Sequence, residues 1–192
     1  MKFIINQDAK NQIYNSLIFN DKTSKNIPIE IKFSNTINLD ILLSSLKKIE
    51  TISKKISMIY KIDNYILSAE NIKLLDELNN HLENCYDSQL YISNNDGIRL
   101  TYKEVLLANK KLDNFVSSID PTLSNYEKLV LIHQYVASYH YNEDKTSYIN
   151  SSLWVSVING NKIICSGYSS LFKACCEKMF DAKEVKPFQQ KL

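Results

Sequence analysis

Residues 160–176 read GNKIICSGYSSLFKACC, from Gly160 to Cys176. A short apolar run meets a cysteine and a glycine, and a helical pattern follows. From Tyr168 the apolar residues Tyr168, Leu171, Phe172, Cys175, Cys176 and Met179 fall at offsets of 0, 3, 4, 7, 8 and 11, the stripe of an amphipathic helix. Ser166, Ser169, Ser170, Lys173, Glu177 and Lys178 take the other face. The helix is therefore expected to open close to Cys165.

A cysteine in the first turn of a helix lies in the positive field of the helix dipole, which favours the thiolate, the nucleophilic form of sulfur. Free amides of that turn can also hold an oxyanion, and Gly167 removes a side chain where backbone must pack closely. Free cysteines are nonetheless among the most buried residue types. Spacing alone leaves Cys165 open between nucleophile and buried thiol. Cys175 and Cys176 lie within the apolar stripe and read as core.

Upstream, Thr101 with Glu104 and Ser124 with Glu127 each form a capping box, T/S-x-x-E, ahead of an apolar helical run. The first helix is expected to close at Asp120-Pro121. The second places Leu129, Val130, His133, Val136, Ala137 and His140 on one face. The turn-rich SNNDG at residues 93–97 marks the expected boundary between a region 1–98 and a region 99–192.

The first region reads as a small α/β module. KFII near the start and IPIEIKF at 27–33 are strand-like. Leu39, Leu42, Leu43, Leu46, Ile49, Ile52, Ile56 and Ile59 predict an amphipathic helix, or two with a break, over residues 39–60. NYILSA at 64–69 reads as a further strand and NIKLLDELNNHL at 71–82 as a further helix. His81 is expected to be exposed at the end of that helix.

Composition narrows the function. Hydrophobic residues at 44% and charged residues at 23% are ordinary for a globular chain. Lys+Arg 23 against Asp+Glu 21 leaves a formal charge of +2, too little for electrostatic capture of nucleic acid or an anionic membrane. The four cysteines form no CxxC pair, so neither a disulfide framework nor a zinc site is expected, and no cofactor is implied. The start MKFIINQDAKNQ falls short of the roughly 7–15 apolar residues of a signal peptide, and no segment has the length of a membrane span. A soluble, cytoplasmic chain is the expectation.

The quoted residues carry a resemblance. SNYEKLVLIHQYVASYHYN at 124–142 followed by SVINGNKIICSGYSSLFKACCEKM at 156–179 resembles the first half of a bacterial transglutaminase-like core. The matching positions are Glu127, Lys128, Ile132, His133 and Tyr135, then Tyr141 and Asn142, then Gly160, Cys165, Gly167, Tyr168 and Ser169. The resemblance spans residues 101–180. It implies an α+β fold with a papain-like core, in which the cysteine opens a helix packed on an antiparallel sheet. Cys165 would then attack an amide carbonyl, form a thioester and pass the acyl group to water or an amine.

The family also requires a histidine base and an aspartate on strands after the cysteine helix. After Met179 only FDAKEVKPFQQKL follows, with no histidine. His133 and His140 stand upstream, and the His133 position in the family belongs to the helix pattern. The expectation is a truncated or degenerate transglutaminase-like cysteine enzyme, inactive alone, with the His and Asp of the triad missing. Its partner would be a protein or peptide, and uncovered apolar surface would favour an oligomer or a complementing chain. The alternative is a non-catalytic peptide- or protein-binding module on the same scaffold, with Trp154 and Tyr168 walling a groove beside Cys165 and Gly167.

Overall fold

A computed structural model describes residues 2–4, 29–34, 36–48, 55–62, 67–93, 99–143, 153–159 and 162–180. The chain is mixed α+β and divides into two compact units, Met1–Lys103 and Glu104–Leu192. The division falls just inside a helix rather than at residue 98.

The first unit is built on a sheet of β1 (Lys2–Ile4), β2 (Ile29–Ser34), β3 (Ile56–Lys61), β4 (Gln89–Ser93) and β5 (Arg99–Thr101), in that order. The first four strands are parallel and β5 runs antiparallel to β4. Helix α1 (Leu39–Lys47) connects β2 to β3, and α2 (Ala69–Tyr86) connects β3 to β4. Ile29, Ile31 and Phe33, with Ile56, Met58 and Tyr60 and with Leu90 and Ile92, are buried and lie in register across three strands. Leu42 and Leu46 of α1 and Leu75, Leu78 and Leu82 of α2 are likewise buried. Each such side chain contributes about 1.5–3 kcal/mol by leaving water. The Tyr86 hydroxyl donates to the Leu46 carbonyl at 3.3 Å and ties the two helices together.

The opposite sheet face alternates with polar residues Glu30, Lys32 and Ser34. Arg99 on β5 lies over the Tyr91 ring, 4.8 Å from its centroid, and reaches Glu30 on β2 at 3.6 Å. On β3, between β2 and β4, Ile59 has Lys32 and Tyr91 as register neighbours. Ile59 is only 4% exposed although it points away from the helix-covered face.

Two expectations change here. The helix predicted over residues 39–60 ends at Lys47, and Ile56–Lys61 is a strand. Ile56 and Ile59 happen to keep a helical spacing. A central parallel strand is a nearly continuous apolar run, and its two ladders decide the outcome. The strand expected at 64–69 is not seen in its described part, where Ser68 caps α2 and Ala69 begins it. Ile49, Ile52 and residues 94–97 lie outside the described residues.

The second unit contains most of α3 (Tyr102–Ser118), then α4 (Asn125–Ala137), β6 (His140–Tyr141), α5 (Leu153–Asn159), β7 (Lys162–Ile163) and α6 (Cys165–Met179). Helix α3 begins directly after Thr101 and ends before Asp120-Pro121, the expected stop. The Ser124 box forms in full: Glu127 N–H donates to Ser124 Oγ at 3.3 Å, and Ser124 N–H donates to Glu127 Oε2 at 2.8 Å. The hydrogen bonds from Ser124 hold the Glu127 carboxyl below its ordinary range.

Packing in this unit is helical. Phe115 of α3 stacks on Tyr135 of α4 with centroids 3.8 Å apart. Lys178 of α6 pairs with Asp113 of α3 at 2.7 Å. Lys111 Nζ donates to the Val157 and Ile158 carbonyls at 3.3 and 3.4 Å, satisfying groups that the end of α5 leaves without helical partners. Among the described residues no helix is long and apolar enough to cross a membrane.

Candidate active site

Cys165 is the first residue of α6 and is exposed. Ile164 occupies the cap position in extended conformation and supplies no side-chain hydrogen bond. Helices α1, α2 and α4 are capped by Asn38, Ser68 and Ser124, whose side chains each accept a first-turn amide. The first helical bond in α6 is Tyr168 N–H to the Ile164 carbonyl at 3.1 Å. Among the described residues no group accepts from the amides ahead of it, which a helix leaves without intrahelical partners. Gly167 is buried in the same turn.

Three contacts fix this turn. The Tyr168 hydroxyl donates to the Tyr139 carbonyl at 2.5 Å, holding the start of α6 against the end of α4. Burial, with the nearby Tyr141 phenol, pushes Tyr168 above its ordinary value. Tyr139 in turn shares a 3.0 Å hydroxyl contact with Tyr135, so an aromatic series runs from Phe115 through Tyr135 and Tyr139 to Tyr168. Finally, β6 and β7 pair in parallel, His140 with Lys162 and Tyr141 with Ile163, and Asn142 N–H donates to the Ile163 carbonyl at 2.9 Å. Asn142 is thereby set alongside the residues that lead into Cys165.

A groove of about 360 Å³ runs along α6 from this point, lined by Tyr168, Ser169 and Phe172 and, on α4, by His133, Val136 and Ala137. Tyr168, Ser169 and Phe172 stand three, four and seven residues after Cys165, so all four share one helix face. Cys165 is at the upstream end of that face. Ser169 Oγ donates to the Cys165 carbonyl at 3.2 Å.

The expected groove walls divide. Tyr168 lines the groove, whereas Trp154, 1% exposed, is a core residue of α5 and does not. Large aromatic rings at helical spacing are more often core than wall, and burial placed this one inside. The exposed faces of Ser169 and His133 and the Phe172 ring were legible only as helix positions, through their offsets from Cys165 and from Val136.

His133 lines the groove beside Phe172, while His140 is exposed on β6 opposite Lys162. Among the described residues no hydrogen bond joins an imidazole to Cys165. Also among the described residues, no three His, Cys, Asp or Glu side chains gather as a metal site.

Cys175 and Cys176 are buried, as the stripe predicted. Burial pushes the Cys175 thiol up to about 12 and the Cys176 thiol up to about 11. Both are held as neutral thiols inside the unit.

No family model, curated protein or solved structure matches the chain.

Proposed function

We propose that the second unit is a transglutaminase-like thiol acyl-transfer core, of papain-like type, in which Cys165 is the nucleophile. One observation carries the reading: an exposed cysteine opens a helix whose first turn has no side-chain cap. The residues of the resemblance support it, since Tyr141-Asn142 and the Cys165 segment are joined through the β6–β7 pairing.

In the reaction the Cys165 thiolate adds to an acyl carbonyl, and the carbonyl oxygen takes the charge towards the first-turn amides. That addition forms the carbon–sulfur bond, and collapse of the intermediate restores the carbonyl and breaks the bond to the leaving group. An amine must gain a proton to leave, and among the described residues no imidazole is hydrogen-bonded to the sulfur. A phenolate leaves without that proton. Acylation by an activated ester is therefore expected, and turnover of a peptide amide is not.

The test uses p-nitrophenyl acetate and a glutamine-containing peptide. Intact mass spectrometry is expected to find one acetyl group, mapped to Cys165 and lost in Cys165→Ala, with no ammonia released from the peptide. Acetylation spread equally over the thiols of the denatured and folded chain would remove the proposal. Amide turnover that depends on Cys165 would show that the unit is a complete enzyme.

The groove supports a second reading, a peptide-binding module without catalysis. Cys165→Ala would then leave binding of a bound peptide intact, and Tyr168→Ala would weaken it.

A further inference from the structure

Helix α4 is apolar on every side. Leu129, Val130, Leu131 and Ile132 follow one another around its axis, yet its buried residues are Ile132 and Val136. A helix of this kind is normally enclosed. Three large apolar residues that the chain leaves in water stand on it: Tyr126, Leu129 and Val130, at 76%, 38% and 36% exposure. With His133 and Ala137 they fall at offsets of 0, 3, 4, 7 and 11, one stripe down the helix.

The two ends of that stripe differ in shape. At its start Tyr126 stands out as a knob. At its far end His133 and Ala137 border the groove of about 360 Å³ that Val136, Tyr168, Ser169 and Phe172 complete. Knob and groove are thus about 16 Å apart along one helix axis. A two-fold axis crossing the stripe midway, between Val130 and His133, turns each α4 antiparallel to its copy. Tyr126 of one copy then lies opposite Ala137 of the other, so large faces small at both ends.

We infer that a second copy of this chain docks on this face, as an antiparallel α4 pair in which each copy seats Tyr126 in the other's groove. The stripe itself supplies both halves of the contact. It carries no Lys, Arg, Asp or Glu to repel its own image, and the antiparallel pairing sets the positive start of each α4 beside the negative end of the other. His133 and Ser169 give the groove polar atoms for a phenol hydroxyl. Burying the exposed part of Tyr126 removes about 150 Å² of its surface and a similar area of groove. Two such contacts and the middle of the stripe bury on the order of 800 Å², short of the roughly 1,200 Å² of a stable interface. The pair is therefore weak and forms at high concentration. It rests on packing, and holds whether or not Cys165 is a nucleophile.

Sedimentation equilibrium of the full chain under reducing conditions is the test, run from about 10 μM to about 1 mM, where an interface of that size dissociates. The mean mass is expected to rise from 22.2 kDa towards twice that value and to stop there. Tyr126→Ser and Ala137→Lys are each expected to weaken association about tenfold or more, since each strikes both contacts. Both positions are exposed, and a lysine in the last turn suits the helix dipole, so neither loss comes from unfolding. Leu107→Ser, at an exposed apolar residue of α3, is expected to change nothing. A mass that stays at one chain throughout overturns the proposal, and so does one that climbs past two. Association lost in Tyr126→Ser but kept in Ala137→Lys overturns the pairing of knob with groove. Leu107→Ser acting as strongly as Tyr126→Ser would make the contact unspecific and overturn it too.

Discussion

The first turn and the interior of α6 carry the same residue type in opposite surroundings. At the first turn, Cys165 is exposed and the cap residue Ile164 offers the helix no side-chain hydrogen bond. Ten residues on, Cys175 is buried among helices and its thiol is pushed up to about 12. The helix is one element, so its sequence propensity is not what separates them. Position relative to water does so: the first turn lies at the surface, and a packed middle removes the solvent that an anion needs. Exposure of a thiol in this protein is therefore a property of place along the helix.

The largest effect should appear in a short iodoacetamide pulse on the folded chain. Cys165 is expected to label faster than Cys175 by on the order of a hundredfold, because Cys175 reacts only through opening of the unit. Equal labelling, read by peptide mapping, would break the comparison outright.

Next comes Leu171→Ala. Leu171 is 0% exposed on the buried face of α6, and its truncation should cost about 2–5 kcal/mol. Urea melts would measure the loss, and the protection of Cys175 should fall with it while Cys165 is unchanged. A loss confined to a few tenths of a kcal/mol would mean that this face is not packed.

Ser124→Ala sharpens the contrast between a capped and an uncapped helix. Removing the side chain that accepts the Glu127 amide should cost about 1 kcal/mol in α4. The Glu127 carboxyl is held below the ordinary 4.5 in the folded chain, by its bonds from Ser124. Its contribution is thus complete above pH 4.5 and fades as the pH falls through the lower folded value. The stability gap between parent and variant should be constant above pH 4.5 and narrow below it. A gap that widened on acidification would contradict the assignment.

The smallest effect on stability is expected from Ile164→Ser, which supplies the cap that α6 lacks. The gained hydrogen bond and the lost apolar burial should offset to within about 1 kcal/mol. Acetylation of Cys165 by p-nitrophenyl acetate should slow, because the new hydroxyl occupies a first-turn amide. An unchanged rate would mean that these amides do not assist.

Much of this geometry was legible before any coordinates. The offsets from Tyr168 set which face of α6 is buried, and they separated Cys175 and Cys176 from Cys165. The S-x-x-E pattern located the start of α4 because that cap is made within four residues. What could not be read depends on distant partners. Ile56 and Ile59 fit a helix until β2 and β4 flank them, and Trp154 passed as a groove wall until α5 was packed. The short β6–β7 pairing has no periodicity to detect, yet it brings Tyr141 and Asn142 to the cysteine segment.

The sequence by itself determined where helices α4 and α6 begin, which of their faces is apolar, and that one cysteine stands at a helix end. Those are consequences of spacing and of hydrogen bonds closed within a turn. Tertiary structure decided that β3 is a strand, that Trp154 is core, that His133 lines a groove with Tyr168, and that His81 lies within α2 rather than at its end. Burial and the pairing of remote segments depend on what the rest of the chain excludes from water, and no local pattern encodes that.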